Sequence, residues 1–357
     1  MQMRAFRRIL VVRTDRIGDV ILTLPMLEVL RQHYPKAHVA MLVRRYTSEL
    51  LEDNPYVDEV LLYDDGALPL PFSEMASLLR HKKFDVAFVT YPRVRLALLV
   101  WWAGIPLRIG TGYRWYSFLF NKRVYVHRKV ALRHEVEYNT DLLAAVGCSA
   151  ARTPFPHLNV PQSLVDSATR RLAELGMRPD ERFVIIHPGS GGSAREWSPE
   201  NFGFLGRRAV DSGDVRAVIT GSKGEENIVG TVADIVGPKA LRLVEELSLG
   251  EYAALAKRAS LFIGNSTGTL HMAAAVGTPV IGLYPQVTAM SPTRWGPYTD
   301  RKTVFVPKNK PADCGICLRN KPPGSNCECM ATITVDEVYD AARQYLNQEP
   351  LTATGAL

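Results

Sequence analysis

Long hydrophobic runs are missing from this chain. The longest uninterrupted apolar stretch, 96–107, has twelve residues, whereas a bilayer-spanning helix needs about twenty. The N-terminus has a basic flank but only four apolar residues in a row before Arg13, too few for the h-region of a secretory signal. Both absences point to a cytoplasmic protein. Cysteine is scarce, at five in 357 residues. A chain of this length buries a large core and needs neither disulfides nor metal to fold, so reduced thiols are expected. Internal repeats and low-complexity tracts are also lacking. Acidic residues are absent from 93–133, where nine Lys or Arg residues stand among eight aromatics. A solvated surface face usually carries both signs, so this block predicts an anionic partner: a lipid surface, a phosphorylated substrate or nucleic acid.

What is present reads as a soluble globular protein. Hydrophobic residues make up 46%, charged residues 22%, and the net charge is +7. The length favours two domains. Strand-like runs at 9–12, 38–43, 60–63 and 86–91 alternate with helical patterns at 20–30, 47–52 and 72–81, which predicts βαβ units and a parallel sheet. The segment 147–161 holds three prolines and little periodicity, and reads as a linker. A second alternation follows. It has strands at 183–187, 215–220 and 241–244, helix starts at Ser198-Pro199 and at Ser248 with Glu251, and then the stretch 261–284. The expected boundaries are 1–155 for the first domain, 162–330 for the second, and 334–347 for a terminal helix that crosses back to the first.

Two turns carry the chemistry. The stretch LFIGNSTGTLHMAAAVGTPVIGLY (261–284) is strand, Gly-bearing turn, helix, strand. A helix opening after such a turn presents free N–H groups and a positive dipole end, which suits phosphate. His271, one turn in, adds a donor or simply faces the core. In the first half, RTDRIGD (13–19) joins a strand to a helix. There Asp19 serves either as a helix cap or as a carboxylate aimed at a substrate, because ligands of open α/β sheets bind outside the carboxyl ends of the strands. Cys314, Cys317, Cys327 and Cys329 form C-x2-C-x9-C-x-C. The first pair fits a structural zinc site and the second does not, so the cluster reads either as zinc-binding or as free thiols, and no metal is assigned.

Four segments together resemble glycosyltransferase family 9, the lipopolysaccharide core ADP-heptose heptosyltransferases. They are ILVVRTDRIGDVILTLP (9–25), HPGSGGSAREW (187–197), GSKGEE (221–226) and GNSTGTLHMAAAVG (264–277). The resemblance implies an α/β GT-B fold, two Rossmann-like doubly wound domains facing a central cleft. It implies an inverting, metal-independent transfer of heptose from ADP-heptose to a hydroxyl of the lipopolysaccharide inner core. No cofactor is required, and the ADP-sugar is a substrate. Asp19 is then the base. Ser190, Arg195, Ser266, Thr267, Gly268 and His271 hold the nucleotide sugar's phosphates, Glu225 or Glu226 the ribose, and Leu247 lies by the adenine. Arg13, Arg16 and Gly18 join Arg93, Arg95, Arg108 and Arg114 on the acceptor, a phosphorylated lipid or oligosaccharide. The expected partners are these substrates and the cytoplasmic face of the inner membrane, not nucleic acid. The chain departs from the family where Ser266 replaces a common Asp and Arg195 replaces a common Lys. A different nucleotide sugar, a GT-B-like sugar-nucleotide epimerase and a non-catalytic nucleotide-sugar-binding protein are the alternatives.

Overall fold

Short apolar runs become the inner strands of two parallel sheets, and the helices between them cover the faces. The computed structural model describes residues 5–213, 215–308 and 328–347. The chain divides into two units, Met1–Asn159 and Val160–Leu357.

In the first unit β1 (Arg8–Val12) leads into α1 (Ile17–Ile21) and α2 (Leu24–His33), followed by β2 (His38–Val43) and β3 (Glu59–Leu62). Then come α3 (Phe72–His81), β4 (Val86–Val89), α4 (Val94–Trp102), β5 (Leu107–Thr111), β6 (Lys122–Val124) and α5 (Glu135–Thr140). The strand order is β3-β2-β1-β4-β5-β6, and every pairing is parallel. Residues 9–12 and 86–89 are fully buried, which explains why the central strands read as continuous apolar runs rather than alternating ones. The helix expected at 47–52 is a 3₁₀ segment, Arg45–Leu51. The long apolar run 96–107 is the body of α4, followed by Gly104 at φ +73 and the entry to β5. Glycine there lets the chain reverse at no steric cost.

The second unit runs α6 (Gln162–Glu174), β7 (Arg182–His187), α7 (Pro199–Ser212), β8 (Val215–Gly221), α8 (Glu226–Val236) and β9 (Ala240–Val244). It continues α9 (Leu249–Arg258), β10 (Leu261–Asn265), α10 (Gly268–Ala275), β11 (Val280–Leu283), α11 (Pro292–Trp295), β12 (Lys302–Phe305) and α12 (Val335–Leu346). The order is β12-β11-β10-β7-β8-β9, again parallel throughout. The helix starts read from sequence are in place. Ser198 accepts from the Asn201 amide, and Ser248 and Thr334 form reciprocal capping boxes with Glu251 and Glu337.

The terminal helix corrects one expectation. Instead of crossing to the first unit, α12 buries Val338, Tyr339, Ala342 and Leu346 in the core that Val184, Ile186 and Trp197 share. The indole of the buried Trp197 donates to the Ile333 carbonyl at 2.9 Å, and the Tyr339 hydroxyl donates to Ser212 Oγ at 2.6 Å. Each large apolar side chain so buried contributes about 1.5–3 kcal/mol. Stripe and hydrogen bonds together commit the helix to its own unit.

Candidate functional site

In each sheet the chain starts at a central strand, winds outward one way, then returns to start again on the other side. The carboxyl ends of the two adjacent central strands splay their loops apart there, leaving the crevice in which doubly wound folds bind ligands. In the first unit these strands are β1 and β4, in the second β7 and β10.

The turn after β1 holds a charged network. Arg13 is buried, with 2% of its surface exposed. Its Nε donates to Asp15 Oδ1 at 2.7 Å, Nη2 donates to Asp19, and Nη1 reaches Glu135 Oε1 at 3.5 Å and Asn139 Oδ1 at 3.3 Å. Burial alone would favour the neutral guanidine, but the three carboxylates outweigh it, and the Arg13 pKa lies above its ordinary value. Asp15 is pushed up to about 7. Burial is the largest cause, Arg13 pulls the other way, and the neighbouring Asp19 charge adds to the rise. Two carboxylates of this turn therefore share one guanidinium, and Asp15 holds its proton up to about neutrality.

Asp19 sits in the first turn of α1, yet no side chain caps that helix. Its carboxylate goes to Arg13, so the capping alternative does not describe it. Its main-chain carbonyl accepts from the Thr23 hydroxyl at 2.8 Å. Gly18 is buried, and Arg16, at the N-cap position, is exposed. Asn139 anchors the turn from behind, donating to the Leu22 carbonyl at 3.0 Å and to Thr23 Oγ1 at 3.2 Å. Asp15, Glu135 and Asn139 were not singled out from the sequence. Glu135 had a signal, being the first acid after the acid-free block.

The basic block resolves into two kinds of cation. Arg95 donates to the Leu70 carbonyl at 2.5 Å and lies over the Tyr63 and Phe72 rings. Arg108 donates to the Leu119 and Ile105 carbonyls at 2.8 and 2.6 Å. Both hold loops, which corrects their expected place on the acceptor. Arg93 is exposed over the Tyr91 ring, 4.7 Å from its centroid. Arg114 lines a cavity of about 320 Å³ beyond the ends of β4, β5 and β6, together with Tyr113, His127, Arg128 and Lys129. Those last four were not singled out from the sequence.

In the second unit the grip is built from backbone. The loop after β7 passes through Gly191 and Gly192 at φ +54 and +73, a left-handed path that favours glycine. A Cβ on Gly189 would lie 2.0 Å from the Glu225 carboxylate. That carboxylate accepts from the Gly191 amide at 3.1 Å, and from the Ser222 amide and hydroxyl at 2.8 and 2.7 Å. Burial works against its charge, but these donors outweigh it and hold Glu225 below its usual range. Glu225 thus ties two loops together, leaving Glu226, exposed in the first turn of α8, as the freer carboxylate.

Asn265, fully buried, clamps the β7 and β10 loops. It donates to the Pro188 carbonyl at 2.5 Å and accepts from the Trp197 amide at 3.0 Å. Ser193 Oγ adds a bond to the Ser266 carbonyl at 2.8 Å. Thr267 is the N-cap of α10, with no side-chain cap bond, and Gly268 is the first helical residue. Arg195, Ser190, Ser266 and His271 are buried in the same unit, and Leu247 is half-buried at the end of β9. His187, between Thr220 Oγ1 at 2.8 Å and the Tyr252 hydroxyl at 3.3 Å, is lowered to about 4 by burial. It is a neutral strut.

Of the cysteine cluster, Cys314, Cys317 and Cys327 lie outside the described residues, and Cys329 is buried in the second unit's core.

Three comparisons bear on these sites. The family model for glycosyltransferase family 9 (heptosyltransferase) matches residues 73–320. A candidate glycosyltransferase of Haemophilus influenzae is 28% identical over 308 residues, covering 84% of this chain and 89% of that protein. Among solved structures, the family 9 glycosyltransferase of Veillonella parvula aligns with a TM-score of 0.83 at 22% identity, over 98% of this chain and 99% of that one. The ADP-heptose lipopolysaccharide heptosyltransferase II of E. coli gives 0.79 at 20% identity, over 96% and 99%. At such identities the structural likeness speaks to the fold, which is of the GT-B class.

Proposed function

Because this chain belongs to glycosyltransferase family 9 and is a glycosyltransferase, we propose that it transfers heptose from ADP-heptose to a hydroxyl of the lipopolysaccharide inner core, inverting the anomeric centre without a metal. The donor and the acceptor class follow the E. coli heptosyltransferase it resembles. One observation carries the reading: Asp19 holds its carboxylate on a buried arginine at the first unit's switch point, not on helix amides. A hydroxyl nucleophile is weak until a base accepts its proton, and Asp19 is that base.

Departing charge collects on the diphosphate. The open N-terminus of α10, with Thr267 and Gly268, offers amides and a dipole to it. Arg195, Ser190, Ser266 and His271 complete the grip. Glu226 takes the ribose, with Glu225 bracing the loop beneath, and Leu247 flanks the adenine. No cofactor takes part.

The protein works at the cytoplasmic face of the inner membrane. In support, Trp101, Trp102, Trp115 and Phe118 are exposed on the unit that carries the basic block, a pairing suited to an anionic interface. No described helix is long and apolar enough to cross a membrane.

The test is product analysis with labelled ADP-heptose and heptose-deficient lipopolysaccharide. Label is expected on the lipid, with ADP released and EDTA without effect. Recovery of an epimerised nucleotide sugar, or of unchanged donor, would contradict the reading.

A further inference from the structure

An exposed aromatic side chain stands beside the turn that carries Asp19. Tyr46 is the second residue of the 3₁₀ segment Arg45–Leu51 after β2, with 39% of its surface open. Its hydroxyl donates to the main-chain carbonyl of Asp15 at 2.8 Å. Burial pushes that hydroxyl up to about 12; Arg44 opposes the shift, and the Asp15 and Asp19 charges add to it. The phenol therefore stays a protonated donor, and both carboxylates of the turn are close enough to act on it.

The ring is held before any ligand arrives. The Arg44 guanidinium lies over it, 5.1 Å from the centroid. Arg44 is itself fixed. Its Nε donates to Asp64 Oδ2 at 2.6 Å, and the buried Asp64 takes the Arg45 amide on its other oxygen at 2.8 Å. A ring braced in this way has little entropy left to lose on binding. Its surroundings differ from those of the other exposed aromatics. Trp101, Trp102, Trp115 and Phe118 belong to the acid-free block, which suits an anionic lipid surface. Tyr46 instead has Asp15, Asp19, Arg16 and Arg44 around it. An apolar ring with a polar rim of both signs suits a pyranose, which packs its C–H face on the ring and turns its hydroxyls to the rim.

We propose that Tyr46 is the platform on which a sugar ring of the acceptor stacks, presenting one of its hydroxyls to Asp19, with Arg44 as the positioning residue behind the platform. The inference rests on Asp19 as the base. Tyr46 is tied to the same turn through Asp15, so one turn sets both the ring and the carboxylate. Stacking recognises the sugar ring and not its charge, so the share of affinity due to Tyr46 is insensitive to salt.

Calorimetric titration of the full chain with deacylated, heptose-deficient lipopolysaccharide tests it. Tyr46→Ala is expected to weaken binding by about 3–30-fold, the range for a lost aromatic stack and the area it covered, and by the same factor at low and high salt. Tyr46→Phe and Tyr46→Trp should keep most of the affinity, since each keeps a ring. ADP affinity and melting temperature of Tyr46→Ala are expected to stay near the parent's. An unchanged Tyr46→Ala, a Tyr46→Phe as weak as Tyr46→Ala, or a parent that does not bind the oligosaccharide would overturn the platform. So would a Tyr46→Ala protein that melts earlier and loses ADP in step with the oligosaccharide, the mark of a structural ring. Asp19→Asn separates the two readings: if it transfers at the parent's rate while Tyr46→Ala still loses the oligosaccharide, the base assignment falls and the platform stands.

Discussion

The two units share a topology and differ in what they put at the switch point. In the first, one buried arginine is divided among Asp15, Asp19 and Glu135. In the second, the corresponding loops are glycine, serine and amide, with His187 kept neutral by burial and the Glu225 carboxylate used as a strut. On the proposed reading, the first unit moves a proton through side chains, and the second holds a diphosphate through main-chain amides set by loop shape. The consequence is a difference in sensitivity. Isosteric charge changes should act on rate in the first unit, while loss of a cation should act on binding in the second.

The most damaging way to test that contrast is Arg13→Met. Removing the cation leaves Asp15 and Asp19 without their shared partner, a loss of about 3–5 kcal/mol for a broken buried pair, together with loss of turnover. Urea unfolding reads the first quantity. Unchanged stability would mean that the network holds nothing together.

Arg195→Ala is next. ADP affinity should weaken by about 1–3 kcal/mol, the usual cost of one charge-assisted bond, and calorimetry measures it. Unchanged ADP binding would remove Arg195 from the phosphate grip and leave the amides alone.

The smallest effect is in pH dependence. Below about 7 Asp15 holds its proton; losing it places a second negative charge beside Asp19, so turnover should rise with pH through neutrality. Asp15→Asn removes that ionisation, and the rise through neutrality should disappear. The sign of the stability term follows from the same shift. Asp15 is raised from 3.8 to about 7, so between those values the folded chain binds the proton more tightly than the unfolded one. Its contribution to stability therefore falls as pH rises across that window, and the variant should flatten the slope. A pH–rate profile identical to the parent's would deny Asp15 any part.

Much of this was legible in the sequence, for local reasons. Alternation of 3.6-residue and strand patterns gave the two parallel sheets, and Ser198, Ser248 and Thr334 announced their helices because a capping side chain must sit at a fixed offset. The turn at 265–268 was readable from its glycine and small residues. What escaped depends on distant chain. Arg13 and Glu135 are 122 positions apart, and nothing local to either says they meet. The basic block was visible as charge. However, whether Arg95 and Arg108 turn inward to carbonyls or outward to a ligand is decided by which backbone lies beneath them. The terminal helix was legible at 334–347, but which unit it would cover was not.

The central claim is that Asp19 accepts the acceptor's proton, and single-turnover transfer by Asp19→Asn tests it most directly. Asn keeps the shape and the hydrogen-bonding oxygen but loses the basicity. The expected result is a rate lower by about 10²–10⁴, with ADP affinity and melting temperature close to the parent's. A folded Asp19→Asn protein that transfers at the parent's rate would contradict it.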